Sequence, residues 1–129
     1  YLDYDGLPPE GELNNIPTYE VFRDTLFRGY STALDSLKES RFFVVMVGDS
    51  RGSDGGYHCT EAETELFLKA QGLKVYNRII YLEAEFTRLA HAKRTLNTRK
   101  FPKREQKIIV AYKGDTSTIS QNFANLGRL

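Results

Sequence analysis

The sequence predicts an α/β domain, and three observations predict it. Apolar residues recur at helical spacing from Tyr19 to Leu37, a continuous apolar run fills Phe42–Val47, and a helix and a second strand follow that run in order. Strand, helix and strand in succession form a βαβ unit, so the first two strands should run parallel with a right-handed crossover.

Residues 1–17 hold Gly6, Pro8, Pro9, Gly11, Asn14, Asn15 and Pro17, and they read as an irregular leader. Thr18 offers an N-cap, and Tyr19, Phe22, Leu26, Tyr30, Ala33, Leu34 and Leu37 predict a helix of about twenty residues, with Gly29 its weak point. Phe42–Val47 is rich in β-branched residues and ends at Gly48-Asp49, which fits a strand covered on both faces. Ser50–Cys59 is glycine-rich and reads as a loop.

Thr60 and Glu63 predict a capping box for a second helix, with Leu66, Phe67 and Ala70 on its buried face and Gly72 as its stop. Leu73–Leu82 is the second strand, with Val75, Ile79 and Tyr81 expected on one side. Lys107–Lys113 is the third, turned off by Gly114-Asp115. Residues 83–106 form an insertion of 24 residues between these strands. A structureless stretch that long is unusual in a compact domain, so a helix near Glu85–Leu96 and an extended run through Pro102 are expected.

Charge divides the chain. Residues 88–107 carry eight Lys/Arg (Arg88, Lys93, Arg94, Arg99, Lys100, Lys103, Arg104 and Lys107) against the single acid Glu105, whereas residues 1–87 carry eight against fifteen Asp/Glu. The formal net charge of +1 conceals this separation. Such a field favours an anionic partner for the basic segment, most simply nucleic acid. The competing reading is a solvated face, or an arm folded back on the acidic body.

The 129 residues make one domain's worth of chain, and 40% apolar with 27% charged content is ordinary for a globular protein. No apolar run approaches the ~20 residues that span a bilayer, and no signal-peptide pattern opens the chain. Cys59 alone excludes an internal disulfide and fits a reducing, cytoplasmic compartment; it reads as a small, half-buried residue. With only His58 and His91 beside it, a structural zinc site is not expected. The first residue is Tyr, so the chain reads as processed, cut or part of a longer frame.

Several short motifs invite a chemical reading. Gly48-Asp49-Ser50 after an apolar strand resembles the nucleophile block of the GDSL-type serine hydrolases, with Ser50 as nucleophile. That chemistry needs a histidine base framed by an acid, and nothing after His91 could serve. Leu7-Pro8-Pro9-Glu10 fails as a methyltransferase turn, because Leu7 cannot hydrogen-bond an amino group and Glu10 cannot stack on a base. Gly52–Gly56 lacks the Lys-Ser/Thr of a phosphate-binding loop and the spacing of a dinucleotide fingerprint.

A longer pattern outweighs these. Val47-Gly48-Asp49-Ser50-Arg51, Gly72-Leu73-Lys74-Val75-Tyr76-Asn77, Gln106 after a basic stretch, and Tyr112-Lys113-Gly114-Asp115 occur in that order. This ordered set resembles the C-terminal half of the DNA amino-group methyltransferases, N6-adenine or N4-cytosine enzymes of bacteriophages and of bacterial restriction–modification systems. Tyr19-Glu20 fits the family's helix-opening pair, and Tyr1 would be the last residue of its Pro-Pro-Tyr catalytic turn. The family's usual Thr-His before the Gln reads Arg104-Glu105 here.

The resemblance implies part of a Rossmann-like, S-adenosylmethionine-dependent sheet, with the third strand antiparallel between the other two and helices on both faces. It implies a DNA-binding fragment, inactive alone, that holds no cofactor itself, while the full-length enzyme uses S-adenosylmethionine. Arg88, Lys93, Arg94, Arg99, Lys100, Lys103 and Arg104 are the expected phosphate contacts. The first strand's outer edge would lack its neighbour and could support a homodimer. A stand-alone nucleic-acid-binding module with a degenerate methyltransferase fold is the alternative.

Overall fold

A computed structural model describes residues 18–82, 97–100, 103 and 105–126. The elements run α1 (Tyr19–Ser36), β1 (Arg41–Val47), α2 (Thr60–Ala70), β2 (Lys74–Leu82) and β3 (Glu105–Lys113), then short helical turns that include α3 (Ile119–Asn122). The leader and the helix expected at 85–96 lie outside the described residues.

The sheet order is β1-β3-β2, with β3 antiparallel to both neighbours. β1 and β2 therefore point the same way without touching. The order implied by the methyltransferase resemblance is the order found. β1 pairs through its whole length, from Arg41 opposite Lys113 to Val47 opposite Lys107.

One face of the sheet carries the core. Val45 and Val47 of β1, Ile109 and Ala111 of β3, Leu34 of α1, Leu68 of α2 and Leu73 are buried together. Phe27 stacks on Phe67 at 4.5 Å, and Tyr30 meets Phe43 edge-on at 5.8 Å, so aromatic rings weld α1 to α2 and to β1. Both long helices thus share one face. Among the described residues the opposite face meets only the short C-terminal turns, where Phe123 packs on Phe42 at 5.4 Å. Helices on both faces were expected; among the described residues the second face carries the short α3 turn, and Val44 is 56% and Met46 52% exposed. The strand read as covered on both faces is covered on one.

Two other local expectations are corrected. The fully buried stripe of α2 is Thr60, Thr64 and Leu68, four residues apart; of the residues expected there Phe67 packs against the core, whereas Leu66 is 65% exposed and Ala70 is exposed too. Thr64 is tolerated there because its hydroxyl donates to the Thr60 carbonyl at 2.8 Å. In β2 the register shifts between Val75 and Asn77, so Val75 faces the core with Ala111 while Ile79 and Tyr81 lie on the opposite face. One extra residue reverses the alternation for the remainder of a strand.

Chain ends of the elements follow their sequences. The Thr18 side chain accepts from the Val21 N–H at the start of α1. α2 closes with the Gly72 N–H on the Lys69 carbonyl and the Leu73 N–H on the Leu68 carbonyl, and Gly72 holds φ +83°. The last carbonyls of α1 are satisfied from β3: the Lys113 ammonium donates to Leu34 O at 3.1 Å and Leu37 O at 2.8 Å.

Candidate nucleic-acid interface

The residues with chemical potential gather where β1 ends, α2 begins and β3 begins. Asp49 follows β1, and its Oδ1 accepts from the Glu61 N–H at 2.9 Å. It caps α2 from a distance of twelve residues, which replaces the capping box expected from Thr60 and Glu63. The residue before the helix is Cys59, in the left-handed region at φ 57° without a side-chain cap. Cys59 is exposed rather than half-buried.

Thr60 and Glu63 serve α1 instead. The Tyr19 hydroxyl donates to Glu63 Oε2 at 2.7 Å and lies 3.2 Å from the Thr60 hydroxyl, while its ring stacks on His58 at 4.0 Å. Burial, reinforced by the Glu63 carboxylate, raises the Tyr19 hydroxyl to a pKa of about 12. The phenol is therefore a fixed, neutral donor. His58 reaches Ser50 through the backbone, its N–H on the Ser50 carbonyl at 3.0 Å. Among the described residues no hydrogen bond joins the Ser50 hydroxyl to the imidazole.

Between these lies a small hairpin. Arg51 and Tyr57 form an antiparallel bridge, the Gly52 N–H bonds Gly56 O and the Gly55 N–H bonds Gly52 O, each at 2.9 Å. Asp54 Oδ1 accepts from the Gly56 N–H at 2.9 Å, and Gly55 takes φ +88°, which a β-carbon would strain. Arg51 is pinned by a 2.8 Å bond from Nη1 to Gly55 O, with its guanidinium carbon 3.8 Å from the Tyr57 ring centroid.

The basic segment reaches this loop. The Lys103 ammonium donates to the Asp49 carbonyl at 2.9 Å and lies over Gly48, where an added Cβ would collide with it. A Cβ on Gly55 would come within 2.7 Å of the Lys100 ammonium. Arg99 is exposed, in the left-handed region at φ 57°. Arg88, Lys93, Arg94, Arg104 and Tyr1 lie outside the described residues. Lys107, counted in the basic segment, pairs with Glu61 at 2.9 Å, and that bond raises its pKa. An open cleft of about 200 Å³ lies among Asp49, Tyr57, Glu61, Lys103 and Glu105.

A methyl donor of the S-adenosylmethionine kind needs an open glycine turn at a strand end and an acid free for its ribose. At the end of β1, the Lys103 ammonium lies over Gly48 and one oxygen of the Asp49 carboxylate is engaged with α2. Among the described residues no group of three His, Cys, Asp or Glu could hold a metal ion, and no helix is long and apolar enough to cross a membrane.

No protein-family profile matches the sequence, and no curated protein matches it. In fold the chain is similar to a solved structure from Thermus thermophilus, provisionally described as a DNA modification methylase. That likeness has a TM-score of 0.59 at 19% identity and covers 79% of this chain. It covers 40% of the methylase, so the chain spans well under half its length. The fold is thus similar to part of that structure, in keeping with the resemblance carried by the sequence motifs.

Proposed function

We propose that this chain is the C-terminal, DNA-binding portion of a DNA amino-group methyltransferase, acting on N6 of adenine or N4 of cytosine, and inactive alone. The observation that carries the reading is the placement of β3 antiparallel between β1 and β2. Local sequence pattern would have favoured the simpler hairpin of β2 and β3 with β1 outside it. The likeness to a methylase over 79% of the chain supports the same reading.

In this account the work of the chain is binding and positioning. Lys100 and Lys103 sit at the rim of the β1–α2 loop with Arg99 beside them, and Arg88, Lys93, Arg94 and Arg104 extend the same charge along the sequence. Such a row suits the phosphates of a duplex. S-adenosylmethionine would be held by residues of the full-length enzyme outside this chain, supplying the methyl group there. The open edge of β1 is where the rest of the sheet would continue. The phage or restriction–modification setting belongs to the same proposal.

Calorimetry with S-adenosylmethionine tests the division of labour. The isolated chain should give no binding heat at micromolar concentration. Saturable binding lost on a change at Gly48 would place the donor site in this half and overturn the proposal. A reading frame encoding a Gly-rich loop and a Ser/Asp/Asn-Pro-Pro directly before Tyr1 would support the enzyme over the stand-alone binding module.

A further inference from the structure

We propose that the acidic body competes with DNA for Lys103: its contact with the loop after β1 is an autoinhibitory latch that phosphate binding has to open. This rests on the phosphate-binding reading of the basic segment and adds the regulation of that site.

The first ground is steric. The Lys103 ammonium donates to the Asp49 carbonyl at 2.9 Å and sits over Gly48, in space that a side chain at residue 48 would fill. The seat depends on the glycine. Lys100 lies against the same loop in the same way, its ammonium 2.7 Å from where a Cβ on Gly55 would stand. Two lysines of the basic segment thus each lie over a glycine of the segment that joins β1 to α2.

The second ground is charge. Lys103 shares a cleft of about 200 Å³ with Asp49, Glu61 and Glu105, and Lys107 pairs with Glu61 at 2.9 Å. Carboxylates that close repel an incoming phosphate, so the Lys103 ammonium has to leave the cleft to meet one. It serves the body or the phosphate, never both at once. A ligand that binds only the released form loses affinity in proportion to the fraction held back.

The test uses the full chain and a labelled duplex, titrated by fluorescence anisotropy at several salt concentrations. Gly48→Ala adds the Cβ that evicts the ammonium and leaves every charge in place. Gly48 does not take a positive φ, and the next residue the Cβ meets is Gln106, at 3.4 Å, so the flexible end of Lys103 is what yields. The substitution should tighten duplex binding about two- to tenfold, the worth of one net hydrogen bond. The log–log salt slope should stay unchanged, because the same phosphates are neutralised. In a Lys103→Ala background, Gly48→Ala should change nothing. Circular dichroism confirms that each variant is folded.

Unchanged or weaker binding by folded Gly48→Ala overturns the latch and leaves the phosphate reading standing. A gain that persists without Lys103 overturns it too. If neither the chain nor the variant binds duplex, the phosphate reading fails and the competition falls with it; binding by Gly48→Ala alone supports both. Should Gly48→Ala not fold, NMR of the unaltered chain decides. The Ser50 amide shares its peptide group with the Asp49 carbonyl, and on adding duplex its signal should move toward the position it holds in Lys103→Ala. A signal that stays in place while duplex binds overturns the proposal.

Discussion

The ammonium of Lys103 donates a 2.9 Å hydrogen bond to the main-chain carbonyl of Asp49, joining residues 54 positions apart. The same Asp49 uses its side chain to cap α2 through Glu61. One residue thus fixes the helix entry and receives the basic segment. The contact also shows how arm and body meet: at a carbonyl, in a loop, with the neighbouring Glu61 already paired to Lys107.

The cap gives the first prediction. Asp49→Ala leaves the Glu61 N–H without its acceptor and should destabilise the fold by about 1 kcal/mol, the usual cost of a lost N-cap. Asp49→Asn keeps an oxygen acceptor and should recover most of that loss. Urea unfolding of the two variants measures the difference. Equal destabilisation by both would mean that the carboxylate charge, and not the cap, is what α2 requires.

Lys113 gives the second. Its ammonium satisfies the Leu34 and Leu37 carbonyls at the end of α1, a helix with no basic residue in its last turn. A cation there also meets the negative end of the helix dipole. Lys113→Met preserves the stem and should cost about 1–3 kcal/mol, since hydrogen bonds from a charged donor are the strong ones. An unchanged denaturation midpoint would contradict this role.

Tyr19 gives a pH dependence. Its hydroxyl has a pKa of about 12 in the fold against an ordinary 10.0. The folded state therefore keeps a proton that the unfolded chain releases. The stabilisation is complete below pH 10 and is lost as pH rises from 10 towards 12. Unfolding followed across this window should show stability falling more steeply in the native chain than in Tyr19→Phe. Parallel curves would mean that Tyr19 is not held as a neutral donor.

Much of this was legible in the sequence, and the failures have physical causes. α1, β1 and β3 were readable because helical spacing or unbroken apolar runs survive without tertiary information. The stripe of α2 was not, since threonines at 60 and 64 look polar and Leu66 looks like core. Thr60 and Glu63 have the spacing of a capping box, but Tyr19, which claims both side chains, lies more than forty residues away, and the cap comes instead from Asp49 to the Glu61 N–H. The bulge in β2 reverses parity without a glycine or proline to announce it. Strand order came from the motif resemblance alone, because local pattern does not record which non-local strands pair. At the site, Lys100 and Lys103 were expected from charge, whereas the Arg51–Tyr57 pair was overlooked. Asp54-Gly55 between them is a hairpin signal that could have revealed it.

The salt dependence of duplex DNA binding tests the central claim most directly. Affinity should fall steeply with added salt, because each phosphate neutralised releases counterions. Replacing Arg99, Lys100, Lys103 and Arg104 by Ala should flatten the log–log slope by about two to four units, while replacing Lys69 and Lys74 on the acidic body should leave it unchanged. No binding at about 50 mM salt, or equal flattening by both sets, would contradict the account and leave the basic segment neutralising its own body.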